Sequence, residues 1–270
     1  MTHDLSALRL IGMIHLPALP GSPGFAGSRE DVLAYALRDA EALADADFDA
    51  LLLENFGDVP FAKTEVGPEV IAEMCVIAYQ LQCQYGLPLG VQVLRNDARA
   101  SLAIAAAVGA AFIRVNVHTG AMLTDQGIIE GRAHETLRYR QTIGAGDVAI
   151  LADVHVKHAV PLAGEAFEDA LADTVHRGLA DAIIVSGKGT GRKTDAQRLR
   201  TAAAISPVPV YVGSGADADS LSDFFPAAHG VIVGSSIKQE GISSAPVDPE
   251  KALRFAEAFR AIPFTPPAIS

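Results

Sequence analysis

Several apolar runs of this chain stop on side chains that can move protons or hold charge. His15 follows one run, Glu54 and Asn55 a second, Arg95, Asn96 and Asp97 a third, and Arg114 and Asn116 a fourth. Asp153, His155 and Lys157 close a fifth, and Ser186 with Gly187 closes a sixth. Carboxylates and imidazoles suit general acid and base work, and Lys or Arg stabilises negative charge that develops as a bond breaks. Period-two spacing would put Asp153, His155 and Lys157 on one face if the strand runs that far. Two glycine punctuations complete the set, Val212-Gly213-Ser214-Gly215 and Val233-Gly234-Ser235-Ser236. Glycine lets the backbone approach an anion closely, and successive main-chain N–H groups can donate to phosphate oxygens. Gly213, Ser214, Gly215, Gly234 and Ser235, with Ser186 and Gly187, are therefore the expected phosphate-binding residues. His15, Glu54, Arg114, Asn116, Asp153, His155 and Lys157 are the catalytic candidates.

Such residues need a frame that brings strand ends together. Eight runs rich in Val, Ile and Leu lie near 9–14, 50–53, 89–94, 111–115, 148–154, 182–185, 208–212 and 230–233. Continuous apolar runs of this kind suit strands buried on both faces. Helical patterns separate them at 29–45, 68–85, 98–108, 132–144, 166–178, 195–204 and 217–225, and a last one covers 249–261. Alternating strands and helices argue for a parallel sheet, and eight repeats in 270 residues favour closure into a (β/α)8 barrel occupying 1–270 as one domain. In such a barrel the active site forms at the C-terminal ends of the strands, and the last two strand ends cradle phosphate.

Competing readings follow from the same residues. Arg114 can instead be a structural partner of Glu54 or Asp153, since buried arginine is seldom left unpaired. His15 can simply bond a loop carbonyl. Lys157 can form a Schiff base or serve only as a structural lysine. His15, Glu54, Asp153 and His155 are chemically able to hold a divalent metal, but no dense ligand motif such as HExxH is present, and no cofactor is expected. The stretch 186–194 resembles a nucleotide P-loop only superficially, because Arg192 stands where GxxxxGK[ST] requires glycine. It reads better as a basic loop in which Lys188, Arg192 or Lys193 adds charge near an anion. Cys75 and Cys83 share one predicted helix and lack zinc-site spacing.

The formal charge of −11 opposes binding to nucleic acid or anionic lipid. No apolar stretch approaches the roughly 18 residues of a membrane span, and 1–9 is too short and polar for a secretory signal, so the cytosol is the expected compartment. Two long loops, 55–67 and 117–131, lie on the catalytic side, where long loops act as lids or interfaces. Apolar residues in 16–25 and in the second-strand loop can bury surface between subunits, making a homo-oligomer an expectation.

Longer motifs resemble those of the BtpA/SgcQ family: IGMIHLPALPGSP at 11–23, ENFGDVPF at 54–61, GVQVLRND at 90–97, TDQGIIEG at 124–131 and ADVHVKH at 152–158, with Ser186, Gly187, Thr190 and Gly191 similar to its sixth-strand loop. The resemblance covers nearly the whole chain. It implies a TIM barrel similar to the ribulose-phosphate-binding barrels. It leaves function divided, because the family takes its names from a photosystem I biogenesis protein and from a sugar-metabolism protein, and members are described as nucleosidases. No set of catalytic residues carries over with it. The expected function is a cytosolic enzyme acting on a phosphorylated sugar or nucleoside-like metabolite by acid/base chemistry. Isomerisation, epimerisation, aldol cleavage and glycosidic hydrolysis all remain open. The alternative is a non-catalytic biogenesis or stability factor for a photosynthetic membrane complex.

Overall fold

Alternation along each apolar run divides its side chains between two cores. Ile11, Met13, Leu52, Phe112, Leu151, Ile184, Tyr211 and Ile232 fill an inner cluster, while Leu10, Ile14, Leu51, Leu53, Val91, Ile113, Ile150 and Val231 pack outward beneath helices. Each fully buried Leu, Ile or Phe contributes about 1.5–3 kcal/mol relative to exposure. The computed structural model describes residues 5–162, 164–187, 196–225 and 227–263. Its parallel strands are β1 (Leu10–His15), β2 (Ala50–Glu54), β3 (Leu89–Gln92), β4 (Phe112–Val115), β5 (Ala149–Val154), β6 (Ala182–Val185), β7 (Val210–Val212) and β8 (Gly230–Val233). They neighbour one another in chain order, and β8 pairs with β1 to close the barrel.

The helices around it are α1 (Arg29–Asp45), α2 (Pro68–Tyr85), α3 (Ala98–Val108), α4 (Ala133–Thr142), α5 (Phe167–Ala172), α6 (Ala196–Ile205) and α7 (Pro249–Arg260). Local chemistry sets their starts: Ser28 Oγ accepts from the Asp31 N–H at 3.1 Å, and Asp97 Oδ1 accepts from the Ala100 N–H at 2.8 Å. The second Asp97 oxygen accepts from the Val66 N–H at 3.0 Å, which ties the long β2 loop to the end of β3. α5 runs on through a π-helical turn, Asp173–Arg177.

Two expectations need correction. The helix expected at 217–225 is only a 3₁₀ turn, Leu221–Asp223. Asp217 Oδ1 instead accepts from the N–H groups of Asp219 and Ser220, at 3.1 and 2.8 Å, and this local side-chain bonding competes with a helix start. The stretch 117–131 is not irregular either. Ala121–Thr124 and Gly127–Glu130 form an antiparallel hairpin, and Val160–Pro161 adds a third strand. Met122 and Ile129 bury one face of this small sheet, while Ile128, Leu123 and Val160 align in register on the exposed face. The loop after β1 buries Leu16 and Leu19 in the chain's own core. No helix among the described residues is long and apolar enough to cross a membrane.

Candidate active site

The alternation that fills the barrel with apolar side chains ends in a polar layer at the C-terminal mouth. Register places His15 beside Glu54 and Glu54 beside Gln92, one step beyond the inward-facing Met13, Leu52 and Gly90. The same step brings Arg114, Asn116, Asp153, Ser186, Gly213 and Gly234 to the mouth. Buried polar side chains need partners, and the partners show which groups are already committed.

Arg114 and Asp153 form the centre. The Asp153 carboxylate accepts from Arg114 Nε and Nη2, both at 2.9 Å, from Asn116 Nδ2 at 3.0 Å and from Ser186 Oγ at 3.1 Å. Both side chains are essentially sealed from solvent, 2% and 0% exposed. Asp153 thus spends its acceptors on holding Arg114, Asn116 and Ser186, and Arg114 has the structural partner that the sequence left open. Arg95 extends the network, donating to Asn116 Oδ1 at 3.0 Å and to the Lys157 carbonyl at 2.9 Å.

His15 and Glu54 are less committed. The His15 Nδ1 lies 2.7 Å from the Ser243 carbonyl. A carbonyl can only accept, so Nδ1 carries the proton and Nε2 keeps its lone pair. That nitrogen is 3.8 Å from Glu54 Oε1. The imidazole stacks on Phe56 with centroids 4.4 Å apart. Burial, reinforced by Lys238, holds the His15 pKa well below the usual histidine value. Burial pushes the Glu54 carboxyl up, against the pull of Lys157 and Arg114. A neutral imidazole and a carboxyl inclined to keep its proton therefore face each other at the mouth.

The glycine clusters meet here as well. His15, Arg114 and Lys157 line one cavity with residues 213–216 and 232–236 and Ser243. Among the described residues, the amides of Gly215, Gly234 and Ser235 donate to no protein acceptor. The other expected phosphate ligands are engaged: Gly213 N–H donates to the Val185 carbonyl at 2.9 Å, Gly187 N–H to Ser214 Oγ at 3.1 Å, and Ser186 Oγ to Asp153. Gly213 has a packing reason instead, since a Cβ there would stand 2.3 Å from Ile184 Cγ2 and 2.6 Å from Ser186 Oγ. Gly215 has φ +72°, the left-handed region that glycine enters without penalty.

His155 does not join this group. β5 ends at Val154, and His155 takes φ +53°, which breaks the alternation expected to place it beside Asp153 and Lys157. Its ring packs edge-on against Phe167 of α5, 5.8 Å between centroids. Lys157 does reach the cavity. Lys188, Thr190, Gly191, Arg192 and Lys193 lie outside the described residues. The described residues contain no group of three or more His, Cys, Asp or Glu arranged to hold a metal ion. A wider cleft, about 350 Å³, lies off the mouth against Val66, Ile71, Asp97, Arg99 and Tyr139 and contains none of the catalytic candidates.

Sequence reasoning missed Gln92, Phe56 and Ser243 and gave Arg95 no role. Gln92 was reachable by counting two residues on from Gly90. Ser243 was not, since its carbonyl comes from a turn far along the chain.

Comparison with known proteins places the barrel. Thiamine phosphate pyrophosphorylase from Pyrococcus furiosus superposes with a TM-score of 0.59 over 95% of this chain and 98% of that one, at 12% identity, a likeness of fold alone. An uncharacterised protein of Thermococcus kodakarensis is 50% identical, covering 94% of this chain and 96% of its own length. The photosystem I biogenesis protein BtpA of Synechocystis is 48% identical, covering 92% and 87%. The model of the BtpA family matches residues 7–261, and the chain belongs to that family.

Proposed function

We propose that this protein is an enzyme acting on a phosphorylated sugar or nucleoside-like metabolite by acid/base chemistry at the C-terminal mouth of the barrel. The observation that carries the reading is the set of unengaged amides at Gly215, Gly234 and Ser235, opening on the cavity that His15, Arg114 and Lys157 also line. Backbone donors of this kind, with cations beside them, bind a phosphate dianion with little reorganisation.

The rest of the layer divides the work. Glu54, whose burial favours the protonated form, is the proton donor, and the bare Nε2 of His15 is the acceptor. Asp153, Asn116 and Ser186 hold Arg114 in place, and Arg114 with Lys157 stabilises developing negative charge. The same acid/base pair serves isomerisation, epimerisation or cleavage of a bond next to the sugar carbonyl or anomeric carbon.

The alternative role as a factor for a photosynthetic complex draws on the name of the Synechocystis relative. An equally similar relative from Thermococcus kodakarensis carries no such name, and a scaffold has no use for converging free amides, a free lysine and a carboxyl–imidazole pair.

Thermal melts in matched pairs test the proposal: ribose 5-phosphate against ribose, and a nucleoside 5′-monophosphate against its nucleoside. At a hundredfold excess over Kd a bound ligand stabilises by about 2.7 kcal/mol. The phosphorylated member of at least one pair should raise the midpoint, and inorganic phosphate should compete. Equal behaviour within both pairs would remove the basis for a phosphate site.

A further inference from the structure

Lys157 differs from the other cations described at this end of the barrel. Arg114 is bound to Asp153, Arg95 to Asn116 and the Lys157 carbonyl, and Lys238 to Asp39. Among the described residues, Lys157 Nζ has no hydrogen bond and no carboxylate within ion-pair distance. The side chain nevertheless lines the cavity that holds the free amides, and the bond from Arg95 to its carbonyl fixes where its backbone stands.

Burial first and Arg114 second lower the Lys157 pKa, against the opposing pull of Glu54 and Asp153. Arg114 is already paired with Asp153, and burial pushes the Glu54 carboxyl up. The unprotonated fraction of such an amine is a nucleophile toward carbonyl carbon.

We propose that Lys157 forms an imine with an open-chain aldehyde or ketone phosphate, whose phosphate rests on the amides of Gly215, Gly234 and Ser235. This rests on the phosphate reading above and narrows its substrate class to carbonyl-bearing phosphate esters. The lone pair of Nζ attacks the carbonyl carbon and the C=O π pair moves to oxygen. Proton transfer gives a neutral carbinolamine. The Glu54 carboxyl then protonates its hydroxyl, which leaves as water. The products are an iminium, one water and the Glu54 carboxylate, so charge balances and no oxidant or reductant takes part. The iminium keeps its positive charge between the Glu54 carboxylate and the phosphate, where both anions favour it.

The test is reductive trapping on the full chain. The protein is incubated with ribose 5-phosphate or glyceraldehyde 3-phosphate, reduced with cyanoborohydride, and mapped by peptide mass spectrometry, while calorimetry follows inorganic phosphate binding to the same preparation. Expected is an adduct of probe mass less one oxygen, formed on Lys157 severalfold faster than on the exposed Lys63. Inorganic phosphate should suppress it, and Lys157→Arg should abolish it while phosphate still binds. If phosphate binds but label is absent from Lys157, or is spread equally over Lys63 and Lys251, the imine is wrong and the phosphate site stands. If phosphate does not bind, the underlying site fails first. Label on Lys157 that phosphate leaves unchanged would confirm the amine and refute the proposed seat of the phosphate.

Discussion

Exchanging Asp153 for Asn asks what the buried ion pair is for. The carboxylate takes four hydrogen bonds, two of them from Arg114 at 2.9 Å, within a pair that water does not reach. Asparagine keeps one acceptor oxygen and turns an NH₂ toward donors, leaving the Arg114 guanidinium uncompensated. Breaking a buried pair from one side costs about 3–5 kcal/mol. At about 2–4 °C per kcal/mol for a domain near this size, the melting midpoint should fall by roughly 6–20 °C. Urea denaturation and calorimetry at pH 7.5 measure the loss directly. A control separates charge from packing: Arg114→Met with Asp153→Leu removes both charges, and it should be more stable than Asp153→Asn alone. A single variant within about 1 kcal/mol of the parent, or a double variant no better than the single one, would refute the dry, committed pair and return Asp153 to the list of free acids.

Gly213→Ala sets a methyl group against Ile184 and Ser186 and should lower stability by about 1–3 kcal/mol, read as a shift of the urea midpoint. An unchanged midpoint would show spare room in the top layer of the barrel. His15→Asn tests the neutral imidazole. A histidine harder to protonate in the folded than in the unfolded chain contributes stability above its unfolded pKa and loses it as pH falls through the window below 6.5. The gap between parent and His15→Asn should therefore be widest above pH 7 and shrink toward pH 5 in guanidinium titrations. Parallel curves would mean that His15 titrates normally.

The barrel was legible because its strands are buried on both faces, leaving eight apolar runs that no amphipathic pattern obscures. Counting by two along those runs reaches His15, Glu54, Arg114 and Asp153. The same count fails at His155, where a left-handed residue turns the chain, and the helical pattern at 217–225 fails because Asp217 caps a turn. The hairpin at 121–130 carried a signal in Asp125-Gln126-Gly127 between two apolar pairs. Partner choice was not legible. Whether Arg114 would find Glu54 or Asp153, and which glycine amides stay free, depends on distances between strands far apart in sequence.

One turn after β8 holds two parts of the site at once. It begins with the Gly234 and Ser235 amides and ends with the Ser243 carbonyl that fixes the His15 ring. Between them Lys238 is moored to Asp39 of α1, and the other Asp39 oxygen grips the Val247 N–H at 2.9 Å. A shift of this turn toward an arriving anion would rotate the imidazole with it. α1, though it adds no group to the mouth, is the anchor that makes grip and aim a single mechanical unit.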